Sequence, residues 1–209
     1  MIELYTGTPG SGKSYHACDR IYWRLRTGKK VIANFPVKVP RQYQKRAKFE
    51  YVPNEQLNVQ YLLDYNEECH VPRKEHQTLV VIDEAGTVFN SREWNQKGRM
   101  DWLKFFALHR HFGFDFILIP QQDNMIDKQI RGLIEFEVKH RSVMSGGLIG
   151  PVLLIFGGNF AAITFYYGNK CRLSSEFIRF RKKIASIYDT YAMFDNSATT
   201  ALLEMEPAT

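Results

Sequence analysis

Cysteine is scarce in this chain and does not cluster. Cys18, Cys69 and Cys171 are odd in number and far apart, which excludes a disulfide framework and paired zinc-ligand spacing. Cys69-His70 with His76 nearby lacks the second ligand pair that a tetrahedral site needs. A reducing cytoplasm is the compartment this usage favours. The N-terminus has no charged n-region, apolar h-region or cleavage site, so no secretory leader is read. No internal repeat is visible. Residues 142–169 carry no charge at all, and the run 148–165 is apolar enough to raise a membrane helix. Pro151 and Gly157-Gly158-Asn159 interrupt that run. Gly-Asn between 152–156 and the aromatic, β-branched arm 160–167 is a hairpin signal, so a β-hairpin is expected in preference to a span.

What is present suits a packed α/β protein. Of 209 residues, 44% are hydrophobic, enough for one core. Net charge is +6, compatible with nucleic acid or an anionic membrane surface while requiring neither. The chain reads as one domain over residues 1–191, with 192–209 as a polar, flexible tail.

The organising stretch is Gly7-Thr8-Pro9-Gly10-Ser11-Gly12-Lys13-Ser14, the G-x-x-x-x-G-K-S pattern of a phosphate-binding P-loop. Its context fits, since Ile2-Glu3-Leu4-Tyr5-Thr6 reads as a strand and residues from Tyr15 to Leu25 as a helix. Glycines at positions 7, 10 and 12 let backbone N–H groups wrap an anion, and the helix that follows aims its positive end at the same point. Lys13 is expected on the β- and γ-phosphates, Ser14 on Mg²⁺, and Tyr15 at the edge of the same nucleotide site.

Thr78-Leu79-Val80-Val81-Ile82-Asp83-Glu84 is the second anchor. An apolar run ending in carboxylates suits a strand buried on both faces, with its ligand end at the acids. Asp83 is expected to hold Mg²⁺ through its water shell, and Glu84 to activate an attacking water. Phe114-Asp115-Phe116-Ile117-Leu118-Ile119 is a further buried strand ending in Pro120-Gln121-Gln122. Gln121, and after it Gln122, is the candidate to orient water or sense the γ-phosphate. The remaining expectations are a strand over 29–35, helices over 57–69 and 98–111, a short helix over 125–131, a strand over 133–139 and a basic helix over 174–191. Residues 38–48 form a second basic segment, read as a solvated loop, with phosphate-backbone contact as the alternative.

Three strands ending in a P-loop, in Asp-Glu and in Gln resemble the additional-strand class of P-loop NTPases, in which the Gln-bearing strand lies between the other two. The FtsK/HerA-like branch is similar. Closer still, the opening strand and P-loop, residues 31–35, 80–85, Leu108-His109-Arg110-His111, 126–131 and Ser186-Ile187-Tyr188-Asp189-Thr190-Tyr191 resemble the Zot (zonular occludens toxin) family. That family includes inner-membrane assembly proteins of filamentous phages. The resemblance spans roughly residues 1–191 and implies an ATP-hydrolysing, Mg²⁺-dependent domain on the cytoplasmic face of a bacterial inner membrane. It implies self-association, possible in a ring, and phage assembly and coat proteins as partners. The membrane anchor would follow the Tyr-Asp-Thr phrase, outside this chain. DNA is an open partner. The resemblance makes Arg110 a candidate arginine finger acting across a subunit boundary, with Arg131 and Arg99 as weaker candidates. Rival readings are a nucleotide-dependent scaffold with little turnover, a DNA translocase and a small-molecule kinase.

Overall fold

The computed structural model describes residues 1–89, 96–122, 125–142 and 160–188, with the backbone alone at 96 and 97. Strands β1 (Ile2–Thr6), β4 (Thr78–Asp83) and β5 (Phe114–Ile119) are buried almost end to end. Continuous apolar runs of this kind have no solvent face and must lie between two layers. They sit centrally in an eight-stranded sheet of order β3-β2-β4-β5-β1-β6-β7-β8. The other strands are β2 (Lys30–Ala33), β3 (Phe49–Tyr51), β6 (Phe136–Ser142), β7 (Phe160–Tyr166) and β8 (Arg172–Ile178). Strands β1 to β6 run parallel, whereas β7 and β8 join antiparallel at one end. The glutamine-bearing β5 lies between β4 and β1, the order the resemblance implies.

Helix α1 (Lys13–Arg26) covers one face and buries His16, Ala17, Cys18, Ile21 and Leu25 against the sheet. It ends where Gly28 takes φ +72°, a left-handed conformation that glycine adopts without penalty. On the other face lie α2 (Val59–Cys69), α4 (Gln96–Leu108) and the single turn α5 (Lys128–Arg131). Helix α2 starts where the Asn58 side chain accepts from the Tyr61 N–H at 2.9 Å. Trp102, Phe105 and Phe106 of α4 pack on Phe114 and Phe116 of β5, with Phe106 edge-on to Phe116 at 4.9 Å. Short α3 (Ala85–Val88) follows β4 directly, and α6 (Lys182–Ala185) closes the described chain.

Several expectations need correction. Residues 174–191 are not one helix: Arg172–Ile178 is strand β8, and only Lys182–Ala185 is helical. The antiparallel edge of β7 supplies backbone partners that override the local helical preference. Of the expected hairpin, Phe160–Tyr166 is strand β7, paired with β6 and β8; the arm at 152–156 and the turn at 157–159 lie outside the described residues, as does the tail at 192–209. Strand β6 starts three residues later than expected and runs on to Ser142. The basic segment 38–48 contains a 3₁₀ turn, Arg41–Tyr43, whose Tyr43 is buried, and leads into the unexpected strand β3. Among the described residues, no helix is long and apolar enough to cross a membrane.

Candidate active site: a glycine-loop cleft at the strand ends

Parallel strands that share a direction also share an end, and ligands bind beyond their carboxyl ends. Here the C-terminal ends of β1, β4 and β5 open into a cleft of about 940 Å³. Gly7, Thr8, Pro9, Gly10, Lys13 and Ser14 line one side, Asp83 and Glu84 another, and Gln121 and Gln122 a third. Helix α1 enters from Gly12 at φ +92°, with no side-chain cap, so its first N–H groups face the cleft unsatisfied by any cap. An uncapped helix N-terminus behind a glycine loop is an anion site in both dipole and hydrogen-bonding terms.

Two of the glycines are sterically required. A Cβ on Gly7, at φ +140°, would fall 2.4 Å from the His140 carbonyl oxygen. A Cβ on Gly12 would fall 2.6 Å from the Phe160 ring. Strands β6 and β7 thus press on the loop from behind and fix its path. Lys13 folds over the loop and donates to the carbonyls of Gly7 at 2.8 Å and Thr8 at 3.3 Å.

The Ser14 hydroxyl donates to Asp83 Oδ2 at 3.0 Å, across 69 residues of sequence. A hydroxyl and a carboxylate converging at the rim of a phosphate cleft form an oxygen donor set suited to a hard divalent cation such as Mg²⁺. Asp83 is held by more than its strand. Its N–H donates to Asn34 Oδ1 at 2.8 Å, and Asn34 Nδ2 donates to its carbonyl at 2.7 Å. Burial pushes the Asp83 carboxyl up, opposed by bonds from the Glu84 N–H and Ser14. Glu84 sits in the left-handed region at φ +50°, where a non-glycine residue is strained. That conformation ends the strand abruptly. Gln121 Nε2 reaches Glu84 Oε1 at 3.5 Å.

Not every candidate lies in the cleft. Ser11 is buried beneath the loop. The Tyr15 side chain points away from it: its hydroxyl donates to the Arg179 carbonyl at 3.1 Å and accepts from the Arg181 N–H at 2.7 Å. One residue beyond Ser14 on a helix is a rotation of about 100°, which turns Tyr15 from the phosphate side to the β8 side. Arg110 lies just before β5, at the end of the sheet opposite the cleft, where it pairs with Glu135. Arg99 is tied to Asp127 at 3.1 Å. Arg131 closes α5 and is not part of the cleft wall.

Sequence reading missed five residues here. Asn34 clamps Asp83. Lys139, His140 and Arg141 of β6 and Tyr188 near the end of the described chain line the cleft. Asn34 and Tyr188 left a trace in the sequence, inside the 31–35 and Ser186-Ile187-Tyr188 phrases that carry the resemblance. Burial raises its phenol to about 12. His140 continues into a buried pair: its Nδ1–H donates to the Thr6 carbonyl at 3.2 Å, leaving Nε2 to accept from His16 Nδ1–H at 2.9 Å. Burial pushes His16 down to about 3 and His140 to about 4, so both are neutral at physiological pH.

This geometry agrees with family and structural comparisons. Residues 1–156 match the family model "Zonular occludens toxin (Zot)". The chain belongs to the Zot family. Among curated relatives, the Gene 1 protein of Enterobacteria phage I2-2 is 30% identical over 171 residues, covering 75% of this chain and 45% of that protein. The Gene 1 protein of Enterobacteria phage fd is 28% identical over 138 residues, covering 64% and 39%. The chain therefore spans less than half the length of these relatives. Among solved structures, the N-terminal domain of zonular occludens toxin from Neisseria meningitidis superimposes with a TM-score of 0.56 at 20% identity, covering 90% of this chain and 98% of that one. B204, the DNA-packaging ATPase from Sulfolobus Turreted Icosahedral Virus, gives a TM-score of 0.55 at 14% identity, covering 85% and 98%. The fold of this Zot-family chain is that of the P-loop NTPases.

Proposed function

We propose that this Zot-family domain binds and hydrolyses ATP with Mg²⁺, as the motor for filamentous phage assembly and extrusion at the cytoplasmic face of a bacterial inner membrane. The observation that carries the reading is the 3.0 Å contact between Ser14 and Asp83 in a cleft headed by an uncapped helix. Binding of ATP analogues by a fold neighbour, the B204 NTPase of Sulfolobus turreted icosahedral virus 2, supports the choice of ligand.

The loop N–H groups and Lys13 hold the β- and γ-phosphates; Lys13 exchanges its contacts with the Gly7 and Thr8 carbonyls for phosphate oxygens. Ser14 and Asp83 would hold Mg²⁺, which would supply charge neutralisation at the phosphates. Asn34 fixes the Asp83 backbone. Glu84 takes a proton from the attacking water, and Gln121 orients that water through its amide. In its own subunit Arg110 is at the wrong end of the sheet, so as an arginine finger it acts on a neighbour's nucleotide.

The test is Glu84→Gln measured two ways. Affinity for a fluorescent ATP analogue is expected to be retained while phosphate release falls by about 10²-fold or more; unchanged release would remove Glu84 from the chemistry. Phosphate release without any acceptor separates hydrolysis from kinase activity. A near-zero rate at every wild-type concentration would favour the scaffold, and stimulation by DNA would favour a translocase. Arg110→Ala is expected to bind ATP normally and to recover turnover in mixed oligomers with a subunit that supplies only the arginine. Undiminished turnover by pure Arg110→Ala would exclude the finger.

A further inference from the structure

The Ser14–Asp83 pair is also reached from outside the P-loop and β4, by the stretch that leaves β2 at residues 34–38. At its start Asn34 bonds both main-chain groups of Asp83, at 2.8 and 2.7 Å. At its end Val37 forms an isolated antiparallel bridge with Tyr188, and the Lys38 N–H donates to the Ile187 carbonyl at 2.9 Å. Between them the buried Phe35 ring meets the Tyr188 ring edge-on, at 5.4 Å and 82°. The stretch that fixes the Asp83 backbone is therefore the one that seats Tyr188.

Tyr188 forms part of the cleft wall together with Ser14 and Asp83. Its hydroxyl is near enough to both for each to act on it, and it stays protonated at physiological pH. A protonated phenol offers one O–H donor as well as acceptor lone pairs. Beside a hydroxyl and a carboxylate suited to a cation, such a group orients the ligands or a water of the cation's shell. The main chain that carries it is lightly held. Across residues 182–188 only Ile184 and Ile187 are buried, in the cluster that holds Ala17, Cys18 and Ile21 of α1. Helix α6 is a single turn without a side-chain cap. Segments with so few buried contacts open locally at low cost. The place of Tyr188 at the cleft is thus set by a docking equilibrium, whereas Asp83 is set by the sheet.

We infer that Tyr188 is a positioning residue for the cation site, its hydroxyl donating into the Ser14–Asp83 oxygen set, and that docking of residues 182–188 and loading of the cleft with Mg²⁺ and nucleotide favour one another. Linkage makes the effect reciprocal: a seated Tyr188 tightens the hold on the cation, and a bound cation slows the opening of the segment. The cleft thereby has a control point on its rim that belongs to neither the P-loop nor β4. The cation half of this inference rests on the proposed function.

The experiment uses the full chain, a fluorescent ATP analogue and Mg²⁺. Tyr188→Phe keeps the ring on Phe35 and removes only the hydroxyl. It is expected to raise the Mg²⁺ concentration for half-maximal analogue capture about tenfold. Capture without Mg²⁺ and the denaturant midpoint are expected to match wild type. Ile187→Ala, which loosens the seat, is expected to raise that Mg²⁺ concentration too, and to add little on top of Tyr188→Phe, since both act through one hydroxyl. Hydrogen exchange gives the reciprocal readout without turnover. Mg²⁺ with analogue is expected to slow exchange at the Lys38 and Tyr188 amides about tenfold in wild type, and far less in Tyr188→Phe. An unchanged Mg²⁺ dependence in Tyr188→Phe would overturn the inference, as would wild-type exchange that Mg²⁺ and analogue leave unaltered. Losses of stability and of metal-free capture that match the loss in Mg²⁺ dependence would make Tyr188 a packing residue and overturn it as well. A wild type that captures no analogue at any Mg²⁺ concentration would sink the proposed function and this inference with it; intact wild-type capture that Tyr188→Phe reproduces throughout would sink the inference alone.

Discussion

Strands β5 and β8 belong to one sheet and obey opposite rules. All six residues of β5 are buried, and both its neighbours are parallel strands under helices. In β8 six of seven residues are exposed, and one of its edges pairs with no described strand. The first is fixed by burial from both sides and the second by backbone pairing with Ile178 as its one buried anchor. The difference places the acids and amides of the candidate cleft at the ends of the central strands, where neighbouring elements hold them.

The largest effect expected from that contrast is on stability. Phe116→Ala removes a ring packed among Phe105, Phe106 and Phe114 and is expected to cost about 3–5 kcal/mol in denaturant unfolding. Phe177→Ala, the same change on β8, is expected within about 0.5 kcal/mol of wild type under conditions where the chain is monomeric. Equal losses would break the comparison.

A second effect comes from the buried His16–His140 pair beneath the loop. In the unfolded chain both titrate near 6.5, whereas burial lowers them to about 3 and about 4 in the fold. Between those values the unfolded state binds more protons, so stability falls as pH falls. From pH 7 to pH 4 the loss from the pair is expected to be roughly 6 kcal/mol. His16→Gln/His140→Gln should flatten that part of the pH profile; an unaltered slope would mean that other groups carry it.

A smaller effect should follow from Asn34→Ala, which frees both main-chain groups of Asp83. The expected cost is about 1–2 kcal/mol of stability, with a weaker Mg²⁺ requirement for analogue binding as the more specific sign. If the Mg²⁺ dependence is unmoved, Asn34 only supports the strand end.

Legibility followed the same division. The P-loop, Asp83, Glu84 and Gln121 could be read because each follows a buried strand whose apolar run is unmistakable. The wall made by Lys139, His140, Arg141 and Tyr188 could not, because nothing in the local pattern states that β6 lies beside β1. Residues 172–178 misled for a related reason: Ser174, Ser175 and Glu176 have no strong strand preference, and a free edge on β7 decided their conformation. Arg110 stands out in its His-Arg-His phrase, and its place before Phe114 already puts it at the end of β5 opposite Gln121.

The order of residues by itself determined which groups line the candidate cleft at the P-loop and the end of β4, since glycine conformational freedom, a helix start and a carboxylate at a strand exit are local properties. Only the tertiary structure decided what surrounds them, because strand neighbours separated by more than a hundred residues are selected by the packing of the whole sheet. It also decided that, among the described residues, the helices that cover the face at β2 to β5 do not extend over β6 to β8.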